Sequence, residues 1–110
     1  MNITQREENG VVVIELGGRV DTAGAIELER ALQAEHADGH FHLVLDMRDL
    51  TYLNSAGLRI LADYLTISRA NQGDLHLAGL SDKIRRVFEI IGFDNFFDIF
   101  GDIPDAIEAF

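Results

Sequence analysis

The fold is decided by residues 43–61, which read LVLDMRDLTYLNSAGLRIL. The apolar run from Phe41 to Met47 is typical of a central β-strand that is covered on both faces. A short polar turn follows, and from Ser55 onward the leucines recur at the spacing of an amphipathic α-helix. The turn therefore places the Ser55 hydroxyl at a helix N-terminus, where free backbone N–H groups and a partial positive charge favour an anion such as a phosphate.

Two residues compete to cap this predicted helix. Ser is among the preferred capping residues, so Ser55 taken alone is more often a cap than a functional hydroxyl. Asn54 can cap the helix instead, which would leave Ser55 in the first turn with its hydroxyl free. The sequence leaves both assignments open.

The sequence on either side predicts alternating strands and helices. Asn9-Gly10 tolerates the positive φ of a tight turn and predicts a hairpin between strands over 3–8 and 11–16. A further strand is predicted over 75–78. Helical spacing and capping residues predict four helices, over residues 22–35, 55–69, 82–91 and 104–110. This order indicates an α/β domain with a mixed sheet of four to five strands, in which the hairpin comes first and parallel strands follow through right-handed crossovers.

Polar groups are predicted to gather at one edge of this sheet. In parallel sheets, functional groups collect beyond the carboxyl ends of the strands. Asp21 follows the second predicted strand, Asp46 ends the third, and Ser55 follows the next turn. Two carboxylates and one hydroxyl are therefore expected close together. Taken without that role, Asp21 is a helix cap and Asp46 is a solvated strand end.

The predicted helix over 55–69 carries two apolar stripes. One has the spacing of a core-facing surface and contains Leu58, Leu61, Ala62 and Leu65. The other falls on roughly the opposite side and contains Ala56, Ile60, Tyr64 and Ile67. Either this second stripe is an exposed patch that docks a partner, or it is covered by the terminal helix or by the cluster of Phe93, Phe96, Phe97 and Phe100.

Composition limits the classes of function. The chain has 110 residues with nine Lys and Arg against nineteen Asp and Glu, a net charge of −10, which disfavours direct contact with nucleic acid or with an anionic membrane. It has no cysteine, which excludes disulfides and thiolate zinc sites. No signal segment or membrane span is evident, so a cytoplasmic location is the simplest inference. A single domain over residues 1–110 is expected.

An enzymatic role is not predicted. The sequence has no phosphate-binding glycine loop and no nucleophile elbow, and Ser55 has no neighbouring base. His40 and His42 would project to one face of a strand, but two ligands without a clear third do not make a metal site. The other two histidines, His36 and His76, lie in other segments of the sequence. Neither a metal ion nor a cofactor is therefore assigned.

Three separated segments carry a resemblance to a known family. They are the strand with Asp46 that runs into NSAGL at 54–58, the early segment GGRVD at 17–21, and the segment IRRVFEIIGFDNFF at 84–97. In this order they resemble the STAS domain of bacterial anti-sigma factor antagonists. The likeness covers nearly the whole chain, and it implies one STAS domain with a part in transcription regulation and signal transduction.

The resemblance implies a partner-switching mechanism. Ser55 matches the position of the family's phospho-accepting Ser or Thr. The unphosphorylated protein would bind an anti-sigma factor serine kinase and so free a sigma factor, and a serine phosphatase of the metal-dependent type would restore that state after phosphorylation. ATP belongs to the kinase. We call the loop around Ser55, which the kinase and the phosphatase would recognise, the switch loop. The resemblance further implies that it is shaped by Asp21, Asp46, Asn54 and Gly57. It implies partner contacts for Ala56, Arg59, Ile60, Tyr64 and Ile67.

The turn departs from the family's commonest pattern, Asp-Ser-Ser/Thr-Gly, at two positions. Asn54 replaces the acid and Ala56 replaces the second hydroxyl. Loss of a carboxylate beside the acceptor reduces the repulsion of a phosphate, so Ser55 remains the expected acceptor. Two other roles stay open for such a domain. One is a STAS subunit seated on the ATPase of an envelope lipid transporter, with the same helix packed constitutively, and the other is a scaffold component of a stress-sensing assembly.

Overall fold

The computed structural model describes the whole chain, Met1–Phe110, and its centre is one mixed sheet. The five strands lie in the order β1-β2-β3-β4-β5. Their bounds are β1 Asn2–Glu8, β2 Val11–Val20, β3 His42–Leu53, β4 Asp74–Ala78 and β5 Ile99–Phe100. β1 and β2 form the predicted antiparallel hairpin around Asn9-Gly10, and the remaining pairs are parallel. The predicted α/β fold class is confirmed.

Four α-helices cover the two faces of the sheet unequally. Their bounds are α1 Thr22–Ala37, α2 Ser55–Ala70, α3 Asp82–Ile90 and α4 Ile103–Glu108. Helices α1, α2 and α3 share the larger core with alternate strand residues such as Ile14 and Leu45. The residues beside these, Val13 and Val44, point to the other face and pack with α4. The centre of β3 is therefore covered on both faces, as its apolar run predicts.

Strands β2 and β3 are longer than predicted. β2 runs to Val20 and β3 runs to Leu53. The two extensions pair with each other, and their register shifts twice along residues 15–19. In residues 48–53 only Leu50 and Leu53 are buried, a spacing of three that differs from the alternation of a regular strand. The predicted polar turn after Met47 is therefore wrong, because these polar side chains belong to an exposed strand.

The last elements close the far edge of the sheet. β5 pairs with Leu77 and Ala78 of β4. Helix α4 follows, with Pro104 in its first turn as predicted and with Asp102 as its cap, since the Asp102 Oδ1 accepts a hydrogen bond from the Asp105 backbone N at 2.9 Å. None of the helices combines the length and the apolar composition that crossing a bilayer would require.

Candidate functional site

The start of α2 is fixed by Asn54, and this resolves the capping alternatives. The Asn54 Oδ1 accepts a hydrogen bond from the Gly57 backbone N at 2.8 Å, and the Asn54 backbone N donates to the Val20 carbonyl oxygen at 3.0 Å. Ser55 is the first helical residue and is exposed. Its hydroxyl is therefore free of capping and faces solvent at the N-terminus of a 16-residue helix.

Gly57 allows α2 to start against the sheet. A Cβ atom at this position would lie 2.6 Å from the Val20 Cγ1 and 2.7 Å from the Leu53 Cδ1. Contacts this short require one of the neighbours to move. The glycine thus brings the first turn of α2 directly onto the ends of β2 and β3, which fixes where the Ser55 hydroxyl emerges.

The start of α1 lies beside this turn and is built in the same way. The Asp21 Oδ1 accepts a hydrogen bond from the Gly24 backbone N at 2.9 Å. This hydrogen bond, more than any other contact, holds the pKa of the Asp21 carboxyl below its ordinary value. Because Val20 pairs with Leu53 in the parallel ladder, the caps Asp21 and Asn54 are neighbours at the carboxyl ends of β2 and β3, which form one edge of the sheet. The structure thus brings Asp21 to the edge that carries Ser55, as predicted.

Asp46 does not join them, and its predicted place at the end of the third strand is wrong. It lies seven residues before Leu53 (53 − 46 = 7) in the middle of β3, a separation of about 23 Å along a strand. Its side chain is buried and forms a fork with Arg48, with Nε to Oδ1 at 3.0 Å and Nη2 to Oδ2 at 2.7 Å. Burial by itself would raise the pKa of Asp46, but the Arg48 hydrogen bonds lower it overall. Asp46 thus pairs with a residue of its own strand, far from the switch loop.

The second stripe of α2 is only partly exposed. Tyr64 is 9% exposed and its ring lies 5.1 Å from the imidazole of His36 on α1, measured between ring centres. Burial accordingly raises the pKa of the Tyr64 phenol. Ile60 is half-buried and packs on the larger core, whereas Ile67 is 42% exposed. Of the two alternatives for this stripe, Tyr64 follows the covered one, and the element that covers it is α1 instead of the terminal helix or the phenylalanine cluster.

The part of α2 that remains open to solvent surrounds Ser55. Ala56 and Arg59 are exposed. Residues four apart lie next to each other on a helix surface, so Arg59 stands one turn along from Ser55 on the same side. The exposed surface of α2 therefore offers a hydroxyl, a methyl group and a guanidinium near its start, with Ile67 farther along.

Two further residues of this edge were not singled out from the sequence. Arg19 and Tyr52 pair across β2 and β3, and the Arg19 guanidinium lies 4.3 Å from the centre of the Tyr52 ring. Both side chains are exposed and directly precede the residues that end the two strands. Their pairing depends on the register shifts in β2, and the local signal that could have indicated these shifts is Gly17-Gly18, because glycine inside a strand often marks a bulge and Gly18 has a φ of +95°. They add a cation and an aromatic face beside the two caps.

Comparisons with known proteins agree with this fold. The family model described as the STAS domain matches residues 2–106. "Putative anti-sigma factor antagonist BtrV" of Bordetella bronchiseptica is 36% identical over 110 residues, which is 100% of this chain and 95% of that protein. The anti-sigma-F factor antagonist RsfB of Mycobacterium tuberculosis is 32% identical over 97% of this chain and 87% of its own length. A crystal structure of an anti-sigma factor antagonist from Mycobacterium paratuberculosis superposes with a TM-score of 0.89 at 29% identity, covering 98% of this chain and 92% of that one.

Proposed function

Because this chain belongs to the STAS domain family, we propose that it is an anti-sigma factor antagonist in a partner-switching cascade. In its unphosphorylated form it binds an anti-sigma factor serine kinase in the bacterial cytoplasm and thereby frees a sigma factor. Phosphorylation of Ser55 ends this binding, and a metal-dependent serine phosphatase reverses it. The chain itself acts as a regulator, as its relatives do by name, and catalyses no step.

The observation that carries this proposal is the free hydroxyl of Ser55. Since Asn54 caps α2, phosphorylation of Ser55 would not remove a cap. A phosphate at a helix N-terminus is stabilised by about 0.3–1 kcal/mol. The neighbouring cap is a neutral amide, and the exposed Arg59 can pair with the phosphate across one helical turn. The domain can therefore accept the modification without losing its fold.

The proposed docking surface is the exposed part of α2 around Ser55. It consists of Ala56 and Arg59, the exposed edge of Ile60, and Ile67. Tyr64 supports this surface from below, through its contact with α1. Asp21, Asn54 and Gly57 hold the loop in place through the two caps and the close approach of α2 to the sheet. The net charge of −10 favours a partner with a basic surface.

Phosphorylation would oppose docking by desolvation, because the added charge has to leave water without a paired cation at the interface. It adds roughly −1.5 to −2 charges at neutral pH, at a position that the partner must cover. A phosphate that is buried unpaired in the interface would remove about 3 kcal/mol of binding, which weakens affinity about a hundredfold. The fold is retained while the complex is lost, and this is the property that a partner switch requires.

The acceptor is tested with the cognate kinase and ATP. We expect one phosphate per chain, measured by intact mass, and none in Ser55→Ala. Thr22→Ala is the matched control, because Thr22 is also an exposed hydroxyl at the first position of a capped helix, and it should be labelled like the unmodified sequence. Label mapped to Thr22, Thr51, Thr66 or Ser68 would contradict the assignment.

A further inference from the structure

A cavity of about 290 Å³ lies at the opposite end of α1 from the switch loop. It is lined by Glu7 of β1, by Glu35 and Asp38 at the end of α1, and by His40 in the connection to β3. Helix α1 has 16 residues and is therefore about 24 Å long. The groups around this cavity take no part in the proposed switch, and they need an explanation of their own.

Glu35 is the unusual member of this group. It is 4% exposed, although glutamate is almost never fully buried unless it is paired. Its Oε1 lies 3.2 Å from the Nδ1 of His40, but its Oε2 is buried and no donor of the protein contacts it. Arg6 also borders the cavity, yet its guanidinium is engaged by Glu15 at 2.7 Å and by Glu8 at 3.5 Å. A buried carboxylate oxygen without a partner indicates that a cationic or donor group is missing.

The backbone brings three ligand types together at this point. Gly39 adopts a φ of +79° and reverses the chain, and the His40 backbone N donates to the Glu35 carbonyl oxygen at 2.9 Å. One side-chain ligand atom from each of Glu35, Asp38 and His40 lies within 4.8 Å of the others. His40 precedes β3, so its predicted pairing with His42 on one strand face is wrong. Its partners are the two carboxylates at the end of α1.

We propose that Glu35, Asp38 and His40 bind one divalent transition-metal ion of the zinc class. Zinc takes imidazole nitrogen and carboxylate oxygen at about 2.0–2.2 Å, so adjacent ligand atoms around a tetrahedral ion are about 3.3 Å apart. The His40–Glu35 separation of 3.2 Å already matches this value. The two carboxylates balance the charge of the ion, and a water or the nearby Glu7 completes the shell. The imidazole selects against Mg²⁺ and Ca²⁺, which prefer oxygen ligands alone.

A second group of similar composition provides an internal control. His76 is buried and its Nδ1 donates to the Ala106 carbonyl oxygen at 2.7 Å, while its Nε2 lies 3.5 Å from Asp74 and 4.0 Å from Asp98. No buried side-chain atom of this group lacks a partner. The orphaned oxygen therefore distinguishes the Glu35 cluster from the His76 cluster and favours the first as the metal site.

The test is titration of the metal-free chain with Zn²⁺ alone, in a buffer without chelators, followed by calorimetry. We expect one ion per chain, and affinity lowered by at least about tenfold in His40→Gln and in Glu35→Gln. Asp98→Asn, in the second cluster, and His42→Gln, at the neighbouring histidine, should bind within about twofold of the unmodified sequence. Mg²⁺ in place of Zn²⁺ should give no binding heat.

Thermal unfolding provides a second readout, because an ion that is bound only by the folded chain raises the unfolding midpoint. Zn²⁺ should raise the midpoint of the unmodified sequence and of Asp98→Asn, and should leave that of His40→Gln unchanged. His40 is partly exposed, so this variant should fold even where Glu35→Gln does not. Absence of Zn²⁺ binding at submillimolar concentration, undiminished binding by His40→Gln, or loss of binding in Asp98→Asn would each overturn the proposal.

Discussion

The first turns of α1 and α2 share one backbone plan and differ in charge. One turn reads Val20-Asp21-Thr22-Ala23-Gly24 and the other reads Leu53-Asn54-Ser55-Ala56-Gly57. In each, the first polar residue caps the helix through the N–H of the glycine, at 2.9 Å in α1 and 2.8 Å in α2. In each, an exposed hydroxyl occupies the first helical position. Yet the cap is a carboxylate in α1 and a neutral amide in α2.

The residues one turn along extend this contrast. Four residues after Thr22 stands Ile26, and four residues after Ser55 stands Arg59, both exposed. A phosphate on Thr22 would face the Asp21 carboxylate, whereas a phosphate on Ser55 would face an amide and could reach a guanidinium. Under the proposed function, a helix N-terminus alone does not select the acceptor. The side chains around the hydroxyl decide whether a doubly charged group is tolerated.

The largest expected difference between the two turns is in partner binding. Ser55→Asp, or better the phosphorylated chain, should lose about a hundredfold in affinity for the anti-sigma kinase, equivalent to about 3 kcal/mol. Thr22→Asp places the same charge at the equivalent position of α1, outside the proposed docking surface, and should lose less than about tenfold. Calorimetry gives both affinities, and circular dichroism confirms that each variant is folded.

Equal binding by the phosphorylated and unmodified chains would refute the partner switch. A constitutive role, such as a subunit packed permanently on a transporter ATPase, would then fit better. Equal losses in Ser55→Asp and Thr22→Asp would instead show that the partner covers both turns, and the docking surface would have to be extended to α1.

The next largest difference concerns the two glycines. In Gly24→Ala the new Cβ would meet the Arg19 carbonyl oxygen, which belongs to the backbone and cannot rotate away. In Gly57→Ala it would meet the Val20 and Leu53 methyl groups at 2.6 and 2.7 Å, and side chains can adjust. Overpacking costs typically about 1–3 kcal/mol, so we expect Gly24→Ala near the upper end and Gly57→Ala near the lower. Urea unfolding measures both losses of stability. A larger loss in Gly57→Ala than in Gly24→Ala would show that the backbone at Arg19 moves more easily than the Val20 and Leu53 side chains.

The elements that position these turns could be predicted from local signals. Asn9-Gly10 specified the hairpin, and both residues indeed have positive φ. The apolar run in β3 specified a strand that is buried from Leu43 to Met47. Asp21 and Asn54 were both among the candidate caps because capping side chains act within three residues of the chain, and the structure decides for Asn54 over Ser55. Turns, strands and caps of this kind depend on residues that are close in sequence, so the local sequence is enough to predict them.

Asp46 was misplaced and the cover of Tyr64 was left open because the surroundings of both residues come from distant segments. The strand that carries Asp46 continues to Leu53 only because β2 offers a shifted ladder to pair with, and pairing between distant strands has no local signature. Tyr64 falls opposite the leucine stripe in a helical projection, but α2 contacts α1 as well as the sheet. A helix with a neighbour in its own layer buries a wider arc than a single stripe. The exposed Ile67 marks where that cover ends.

The two caps should also differ in their response to acid. The pKa of Asp21 in the folded chain is below its ordinary value of 3.8, so its contribution to stability is complete above that value and is lost as the pH falls through the lower, folded pKa. Asn54 does not titrate. The loss of unfolding free energy caused by Asp21→Ala should therefore shrink at strongly acid pH, while the loss caused by Asn54→Ala, about 1 kcal/mol, should persist; urea unfolding at several pH values measures both. A parallel decline of both effects would show that acid acts on the edge as a whole.

The smallest expected effect tests whether Arg59 helps α2 to carry a phosphate. An ion pair across one helical turn contributes about 0.3–0.5 kcal/mol, which requires a double-mutant cycle to resolve. The four species are the unmodified sequence and Arg59→Gln, each with and without the phosphate on Ser55, and their free energies of unfolding give the coupling. Because both groups are exposed, the coupling should fall as salt is raised above about 0.1 M. The matched cycle with Arg85→Gln, on α3, should show none. A coupling of zero at low salt would mean that the neutral cap and the helix N-terminus alone distinguish Ser55 from Thr22, and the contrast between the two turns would then reduce to Asn54 against Asp21.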